Sequence, residues 1–503
     1  MSKKSGKKFI KILWALLILI SSATVFAAAW YIRIYGKTGF DSILFTLFGK
    51  VGGVEKGLVY SYLLNGLLPA VLTAALICFI LFYTPKKVFS INIKGKKRTV
   101  YPFKGWVLTL ISLVVSFVML FTAATSVGFG KWLFYSVEKT TLYEDEYVFP
   151  EKTEIVAPEN KRNLIYIYLE SMETTYFDKD KGGAMDENLV SELYGLAKEN
   201  VNFSQNSEVG GWTATARTNW TIASLIAQTS GMTVTTEEAG AGYTAGHLPG
   251  AVTLGDILKK EGYYQAFMVG SDATFGSRDM YYKEHGVDKV YDLFTAREDE
   301  IIPKDYYAWW GMEDKHLYRY AKQEILKLAE GDKPFAFTML TVDTHHIGGY
   351  VCSECKNAYS EQYSNVISCA SRQLGEFISW AKEQDFYENT TIIVVGDHRS
   401  MDSEYFKRNV PADYDRRMYN CVINSAVAPQ NAKNRVFTPM DMFPTTLAAM
   451  GYEIKGERLA LGTNLFSAEK TVAERLGKGY LDAELQKQST FYKANFLQKK
   501  FGE

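Results

Sequence analysis

The sequence predicts a doubly wound α/β domain preceded by three transmembrane helices. The helices are indicated by apolar runs without a charged residue at 12–32, 58–83 and 105–130, each longer than the ~20 residues that cross a bilayer as a helix. The α/β domain is indicated by short apolar runs that alternate with helical patterns. The predicted strands are 164–169, 263–269, 335–341 and 392–395, and the predicted helices include 189–198, 314–328 and 371–385.

The basic residues predict the membrane topology. Lysines crowd the amino terminus and, with Arg98, the loop at 86–104, so both are expected in the cytoplasm and everything after Gly130 outside the cell. The first run is interpreted as an uncleaved anchor, with a cleaved signal peptide ending near Ala27 to Ala29 as the alternative. The predicted organisation is therefore a membrane domain at 1–131, a connector at 132–162 and an extracellular domain at 163–503, in a multi-pass protein of the cell membrane.

Two segments beside the three spans are expected to meet the membrane surface or the domain. The segment at 41–49 is apolar but too short to cross, so it is expected at the outer interface. The tail at 481–501 has the pattern of a basic amphipathic helix, which either packs on the domain or contacts lipid head groups.

Charge is unevenly distributed along the chain. Residues 1–131 contain 17 Lys and Arg but only two acids, Asp41 and Glu55, whereas the rest of the chain has 39 basic and 54 acidic side chains. An acidic domain of this kind is a poor nucleic-acid binder and is better suited to a divalent cation. No nucleic-acid partner is therefore expected.

Four of the five cysteines fall in the large domain. Cys352 and Cys355 have the spacing of a zinc or redox motif, but no second pair accompanies them. For a domain outside the cell, a disulfide among Cys352, Cys355 and Cys369 is the favoured interpretation, with its pairing open, as is that of Cys421.

Three potential metal ligands follow predicted strands. Glu170 directly follows the strand at 164–169, and Asp397 and His398 follow the run at 392–395 after Gly396. Ligands of open α/β sheets lie at the carboxyl ends of the strands, so these side chains are expected at one edge. Two carboxylates and an imidazole are suitable ligands for Mn²⁺, Mg²⁺ or Zn²⁺.

The segment at 210–232 supplies the predicted nucleophile. Thr218 is expected as the N-cap of a helix at 219–230 that ends at Gly231. A hydroxyl at a helix amino terminus beside a cation ionises easily, and the same helix end attracts the phosphate that it attacks. Thr221, one helical turn further on, is the rival nucleophile.

Three further residues are predicted to contact substrate. His345 and His346 follow the strand at 335–341, where one of them is placed to donate to a phosphoryl oxygen or to protonate a leaving alkoxide. Arg278 lies after another strand and is a candidate for binding a phosphate or a glycerol hydroxyl.

These motifs together resemble the phosphoglycerol transferase and lipoteichoic acid synthase family, a membrane branch of the alkaline phosphatase and sulfatase superfamily. The resemblance is closest to the membrane glucan phosphoglycerol transferases. It covers the whole extracellular domain. The motifs lie at 161–173, at Gly211-Trp212-Thr213 through Ala223, at 343–346, at Gly396-Asp397-His398 and at 437–445.

The resemblance implies a sulfatase-like fold and a site. It implies Thr218 as nucleophile and fourth metal ligand, with Glu170, Asp397 and His398 as the other ligands, commonly of Mn²⁺. It also implies that His345 and Arg278 contact the substrate. Two departures concern head-group and acceptor recognition, namely Gly276, where the synthases have tryptophan, and Arg399-Ser400 after the Asp-His pair.

The implied activity is double displacement at a cell-envelope lipid. A threonine alkoxide takes glycerophosphate from phosphatidylglycerol, diacylglycerol leaves, and the group passes to a hydroxyl of a glycan, a glycolipid or a lipoteichoic-acid-type polymer. The alternatives are a phosphoethanolamine transferase, a phosphodiesterase or sulfatase that uses water, and a non-catalytic sensor. A sensor would be expected to lack one of the implied ligands or the nucleophile, and none is missing.

Overall fold

The computed structural model describes residues 3–48, 56–82, 90–93, 95–99, 105–235 and 247–498. The chain divides into two compact units. One comprises Met1–Phe40 and Glu55–Trp132, and the other comprises Asp41–Val54 and Leu133–Glu503. We describe each unit by itself.

The first unit contains the long apolar helices. Three of its segments, Phe9–Tyr35, Gly57–Phe82 and Trp106–Ser126, are long and apolar enough to cross a membrane. Most of their large apolar side chains are exposed, as expected for helices whose outer surface faces lipid. The elements are α1 (Lys3–Tyr35), α3 (Lys56–Tyr62), a π-helical turn (Leu63–Leu67), α4 (Leu68–Phe82), strands β1 (Ser90–Ile93) and β2 (Lys96–Thr99), and α5 (Gly105–Ser126).

Two short helices include the sequence positions at which the chain passes from one unit to the other. Helix α2 (Phe40–Phe48) covers most of the segment predicted at the outer interface, and α6 is Phe129–Val137. Residue 49, the end of that predicted segment, lies outside the described residues, as does most of the basic loop at 86–104. The predicted topology rests on that loop and on the amino terminus, so it stays a prediction.

The second unit is built around one seven-stranded sheet with the order β5-β10-β9-β4-β8-β6-β7. The five consecutive strands from β9 to β7 in this order run parallel, whereas β10 pairs antiparallel with β9 and β5. Buried apolar side chains cover both faces of the sheet, which explains strands without polar alternation. The strands are β4 (Asn163–Leu169), β5 (Gly211–Trp212), β6 (Tyr264–Val269), β7 (Lys289–Tyr291), β8 (Phe335–Leu340), β9 (Thr390–Gly396) and β10 (Met418–Ile423).

Helices connect these strands, as a doubly wound fold requires. The helices are α7 (Leu142–Glu146), α8 (Ser191–Glu199), α9 (Thr221–Ser230), α10 (Leu254–Lys260), α11 (Arg278–Glu284), α12 (Leu293–Glu298), α13 (Asp314–Ala329), α14 (Gln362–Lys382), α15 (Ser403–Asn409), α16 (Met442–Ala449), α17 (Val472–Leu476), α18 (Lys478–Glu484) and α19 (Thr490–Tyr492). Short strands β3 (Ile155–Val156), β11 (Glu453–Ile454), β12 (Arg458–Leu459) and β13 (Gly462–Thr463) form two small ribbons. The predicted fold class is confirmed.

The structure corrects three expectations about local elements. The helix predicted at 371–385 begins at Gln362. Up to residue 498 the tail is not one amphipathic helix, because α18 and α19 are short and a π-helical turn follows them. Its apolar residues Leu481, Tyr492 and Phe496 are buried in the core of the unit, so the tail packs on the domain. All five cysteines are free, so the favoured disulfide is absent.

Candidate metal centre and nucleophile

The register of two parallel strands brings the acidic residues together. Strands β4 and β9 pair with Leu169 opposite Gly396. Glu170 and Asp397 are the next residues in each strand's direction, so both carboxylates project from the same edge of the sheet. This is the carboxyl edge, where α/β sheets bind ligands.

Glu170, Asp397 and His398 form one compact group. Their ligand atoms all lie within 4.8 Å of one another. The His398 Nε2 atom lies 3.3 Å from Asp397 Oδ2 and 3.6 Å from Glu170 Oε1. All three side chains are buried, so two carboxylates and an imidazole converge without access to bulk water.

Surrounding hydrogen bonds orient these three side chains. His398 Nδ1–H donates to the carbonyl oxygen of Arg399 at 2.9 Å, which leaves Nε2 facing the carboxylates. The Ser171 amide donates to Asp397 Oδ1 at 2.8 Å, and the Ser171 hydroxyl donates to Glu170 Oε1 at 2.8 Å. Asp397 Oδ1 also accepts from the His398 amide at 2.7 Å.

The second carboxylate oxygen of Asp397 indicates which kind of ligand these residues fit. Among the described residues, the buried Oδ2 atom of Asp397 has no hydrogen-bond partner, although a buried carboxylate oxygen is costly without one. The donor set of two carboxylates and one imidazole is one that divalent cations prefer. The residues present therefore fit a divalent cation.

Electrostatics within the group lead to the same conclusion. Burial and then the charge of Glu170 raise the pKa of Asp397 well above its usual range. Burial alone would raise the pKa of Glu170, but His398 and His345 lower it. Burial alone would lower the pKa of His398, but Asp397 and Glu170 raise it. Two carboxylates this close do not both ionise comfortably without a compensating positive charge.

Thr221, not Thr218, reaches this group. The Thr221 hydroxyl lies 3.2 Å from His398 Nε2 and 3.5 Å from Glu170 Oε2. Thr221 is the first residue of α9, and Trp220 occupies the N-cap position without a side-chain cap. The predicted helix start and the N-cap role of Thr218 are therefore wrong, whereas Gly231 ends the helix with φ 66° as predicted.

The contacts of Thr218 explain the difference. Its hydroxyl donates to the Thr215 carbonyl at 2.9 Å and accepts from the Thr215 amide at 3.2 Å. These bonds hold residues 215–218 in a turn in which Arg217 has φ 63°. The Thr218 hydroxyl is thus engaged locally, and the expectation that it is a metal ligand has no contact to support it.

Neighbouring residues fix the turn and the start of α9. The Ala216 amide donates to Asp482 Oδ1 at 3.0 Å, and Arg217 donates to the Gln486 carbonyl at 2.9 Å. Arg217 also forms an ion pair with Asp41 at 3.8 Å. One turn into α9, the Ser224 hydroxyl donates to the Asp397 carbonyl. Helix α9 is therefore tied directly to the end of the strand that precedes Asp397 and His398.

The two histidines occupy different positions at the edge of the site. His345 is partly exposed, and its Nδ1–H donates to the His346 carbonyl at 2.8 Å. Its ring packs on Trp310 and stacks on His346, with centroid distances of 4.8 and 4.4 Å. Burial lowers the pKa of both histidines. His346 is buried, so His345 is the more accessible of the two.

Arg278 brings a buried positive charge to the site. One of its terminal nitrogens donates to Ser271 Oγ at 2.9 Å and to the Asp272 carbonyl at 2.7 Å. Its Nε atom is buried and has no hydrogen-bond partner within the described ranges. Burial lowers the pKa of Arg278 to about 10, and the charge of Glu170 opposes that shift. The guanidinium thus retains a free donor.

Sequence reasoning missed two supporting residues. Ser171 has φ 55° and bonds to both Glu170 and Asp397. Glu173 accepts from Arg416 and from the Ser400 amide, two residues after His398. The Glu-Ser-Met-Glu sequence after β4 contains both, but only the pairing of β4 with β9 shows that they support the ligands.

Comparison with known proteins places the chain in context. The sulfatase family profile matches residues 162–452, more than half of the chain. Phosphoglycerol transferase I of Xanthomonas campestris pv. campestris (strain B100) is 31% identical over 330 residues, which cover 63% of this chain and 44% of the relative. The same-named protein of Salmonella choleraesuis (strain SC-B67) is 32% identical over 272 residues, covering 52% of this chain and 33% of the relative. The chain thus spans less than half the length of these relatives.

Two solved structures share the fold. The lipoteichoic acid synthase LtaP from Listeria monocytogenes has a TM-score of 0.50 at 18% identity, covering 63% of this chain and 79% of that one. The lipooligosaccharide phosphoethanolamine transferase A (EptA) from Neisseria meningitidis has a TM-score of 0.50 at 14% identity, covering 88% and 84%. At these identities the likeness concerns the fold alone. The resemblance predicted from the motifs is confirmed.

Proposed function

The chain belongs to the sulfatase family, and from that premise we propose that it transfers glycerophosphate from phosphatidylglycerol to a hydroxyl acceptor through a phosphothreonine at Thr221. The acceptor is a cell-envelope glycan, a glycolipid or a teichoic-acid-type polymer. One observation carries the proposal. The Thr221 hydroxyl lies 3.2 Å from His398 Nε2 and 3.5 Å from Glu170 Oε2, at the amino end of a helix.

Glu170, Asp397, His398 and Thr221 are the residues that would hold a divalent cation. Mixed oxygen and imidazole ligands suit Mn²⁺ in the first place, with Mg²⁺ and Zn²⁺ as alternatives. When bound, the cation supplies positive charge that favours the threonine alkoxide and neutralises phosphoryl oxygens. Ser171 and the Arg399 carbonyl keep the ligand atoms oriented.

Thr221 is suited to nucleophilic attack. As the first residue of α9, it lies where the unpaired amide groups and the helix dipole favour negative charge. In the first displacement the Thr221 oxygen forms a bond to phosphorus, and the bond between phosphorus and the diacylglycerol oxygen breaks. The proton of the Thr221 hydroxyl passes to Nε2 of His345, which then protonates the diacylglycerol oxygen as it leaves, and the glycerophosphate group remains on the threonine.

His345 is suited to the proton transfers. Because its Nδ1–H donates to the His346 carbonyl, the proton exchanged with substrate is carried by Nε2. Burial lowers its pKa, which favours the neutral imidazole. In the second displacement this imidazole accepts the proton of the acceptor hydroxyl, whose oxygen bonds to phosphorus. The bond between phosphorus and Thr221 breaks, and the imidazole returns the proton to the Thr221 oxygen.

Arg278 is suited to substrate binding. Its buried Nε–H is an unused donor in the described part of the chain, and a buried guanidinium binds phosphate more strongly than an exposed one. The buried ring of His346 stacks on the ring of His345 and so helps to hold it in place. The substrate-binding role of His346 stays a prediction.

The membrane segments fit a lipid donor. Three helices long enough to cross a bilayer keep the enzyme at the surface where phosphatidylglycerol lies and where the released diacylglycerol remains. The distribution of lysines supports an extracellular catalytic domain.

The test is transfer of a labelled head group. The purified full chain is incubated in lipid vesicles with head-group-labelled phosphatidylglycerol, a glycolipid acceptor and Mn²⁺. We expect labelled glycerophosphate on the acceptor and one diacylglycerol released per transfer. A Thr221→Ala variant is expected to lose this transfer, whereas Thr218→Ala is expected to retain most of it.

Three results would contradict the proposal. Release of free glycerophosphate without a labelled acceptor would indicate a phosphodiesterase. Turnover of phosphatidylethanolamine in place of phosphatidylglycerol would indicate the phosphoethanolamine transferase. Full activity of the Thr221→Ala variant would remove the assigned nucleophile.

A further inference from the structure

Three cysteine sulfurs meet outside the proposed catalytic centre. The Cys352 Sγ atom lies 3.7 Å from Cys355 Sγ and 3.9 Å from Cys369 Sγ, and all three sulfurs lie within 4.8 Å of one another. Cys352 and Cys355 are in the segment between β8 and α14, whereas Cys369 is in α14. Cys352 and Cys369 are buried, and Cys355 is partly exposed.

The separations match a metal site better than a disulfide. Zinc binds thiolates at about 2.3 Å in a tetrahedron, which puts neighbouring sulfurs roughly 3.8 Å apart. A disulfide needs two sulfurs at about 2.05 Å. The separations of 3.7 and 3.9 Å bracket the tetrahedral edge, and an odd number of thiols would leave one unpaired in any disulfide.

Donors around the sulfurs favour the thiolate form. The Gln373 amide nitrogen lies 3.3 Å from Cys369 Sγ and 3.9 Å from Cys352 Sγ. The Arg372 guanidinium donates to Cys369 Sγ at 3.5 Å and is held by the Glu354 carbonyl at 2.9 Å. In thiolate metal sites, hydrogen-bond donors typically contact the coordinated sulfurs and orient them. The arginine also offsets the net negative charge of three thiolates and one divalent cation.

We propose that Cys352, Cys355 and Cys369 bind a thiophilic divalent cation, in the first place Zn²⁺, with an exogenous ligand such as water in the fourth position. Within the described residues the group offers three protein ligands. The partly exposed Cys355 leaves a route for that fourth ligand. Binding releases the three thiol protons.

The site would hold a catalytic segment in place. Cys352 follows His345 by seven residues in the same segment, and the Tyr350 amide donates to the Asp343 carbonyl at 2.7 Å. A cation shared with Cys369 would tie this segment to α14. The catalytic ligands and the cysteines have no residue in common, so the two sites can be tested separately.

The test is the metal content of the full chain, purified in detergent without chelators and reconstituted with Zn²⁺ after dialysis. We expect one equivalent of zinc to be lost in Cys369→Ser and in the partly exposed Cys355→Ser. The zinc with sulfur neighbours should be kept in a Glu170→Gln variant and in the control Cys421→Ser. Cys421 is buried but bonds to the Leu196 carbonyl instead. X-ray absorption at the zinc edge should show three sulfur neighbours.

Counting thiols gives a second measurement. After chelation and denaturation, alkylation should modify all five cysteines of the wild-type chain. Modification of only three would show a disulfide and overturn the proposal. Five reactive thiols with no zinc bound by the reconstituted wild type, or a zinc content in both Cys→Ser variants equal to that of the wild type, would overturn it as well.

Discussion

The Thr221 hydroxyl lies 3.2 Å from Nε2 of His398. This contact joins a helix amino terminus to the end of a buried strand and shows which threonine faces the candidate metal ligands. Thr218 is only three residues away, yet its hydroxyl bonds to Thr215. The proposed chemistry therefore depends on where α9 begins.

Ser171 is predicted to set metal affinity. It donates to Glu170 through its hydroxyl and to Asp397 through its amide, and its φ is 55°. Ser171→Gly keeps the backbone conformation and loses only the hydroxyl, and we expect Mn²⁺ affinity to fall roughly tenfold to a hundredfold. Ser171→Ala should show the same loss and lower the free energy of unfolding by about 1 kcal/mol more. Calorimetric titration and thermal unfolding measure the two effects, and unchanged affinity in both variants would contradict the assigned role.

Arg278 is predicted to act on substrate. Arg278→Gln removes a buried donor from the site, and we expect kcat/KM for lipid transfer to fall roughly tenfold to a hundredfold, as for loss of a charged hydrogen bond. Arg278→Lys keeps the charge but not the planar fork, so its loss should be smaller. Steady-state kinetics with phosphatidylglycerol vesicles measure both. Equal and unaltered kinetics in the two variants would show that Arg278 has only a structural role.

Glu173 is predicted to stabilise the loop that follows His398. Its side chain is fully buried and pairs with Arg416, so Glu173→Gln leaves that guanidinium without its carboxylate. We expect the free energy of unfolding to fall by about 3 kcal/mol. The control is Glu154→Gln, which breaks an exposed pair with Lys455 and should cost less than about 1 kcal/mol. Chemical denaturation of both variants checks the difference, and equal costs would be inconsistent with a buried ion pair.

Asp441 is predicted to make stability depend on pH. Burial raises its pKa to about 7, above the value of about 3.9 for an unfolded chain. Folding therefore favours the protonated form, and this contribution is present below pH 4 and is lost as the pH rises through 7. The free energy of unfolding of the wild type, relative to that of Asp441→Asn, should accordingly be lower at pH 8 than at pH 5. Thermal unfolding at both values checks this, and a difference independent of pH would rule it out.

The strands and the ligands were predictable because their signals are local. Strands β4, β8 and β9 are apolar runs buried on both faces, and Glu170 and Asp397 directly follow two of them. Strand β10 was missed, since its Asn420 interrupts the apolar run and is satisfied by the amide and carbonyl of Phe203 and by the carbonyl of Gly210, all more than 200 residues away.

The N-cap of α9 was misassigned for a similar reason. Thr218 matches the capping preference of threonine, whereas the observed N-cap is Trp220, which no capping preference indicates. Distant contacts decide the outcome, because Asp482 and Gln486 hold the preceding turn. Such contacts cannot be inferred from residues 210–232 alone.

Direct identification of the labelled residue tests the central claim most sharply. The wild-type chain is mixed with head-group-labelled phosphatidylglycerol and Mn²⁺ without an acceptor, quenched in acid, digested and sequenced by mass spectrometry. We predict glycerophosphate on Thr221, and no labelled peptide from Thr221→Ala. Label on Thr218, or on neither threonine while diacylglycerol is released, would contradict the account.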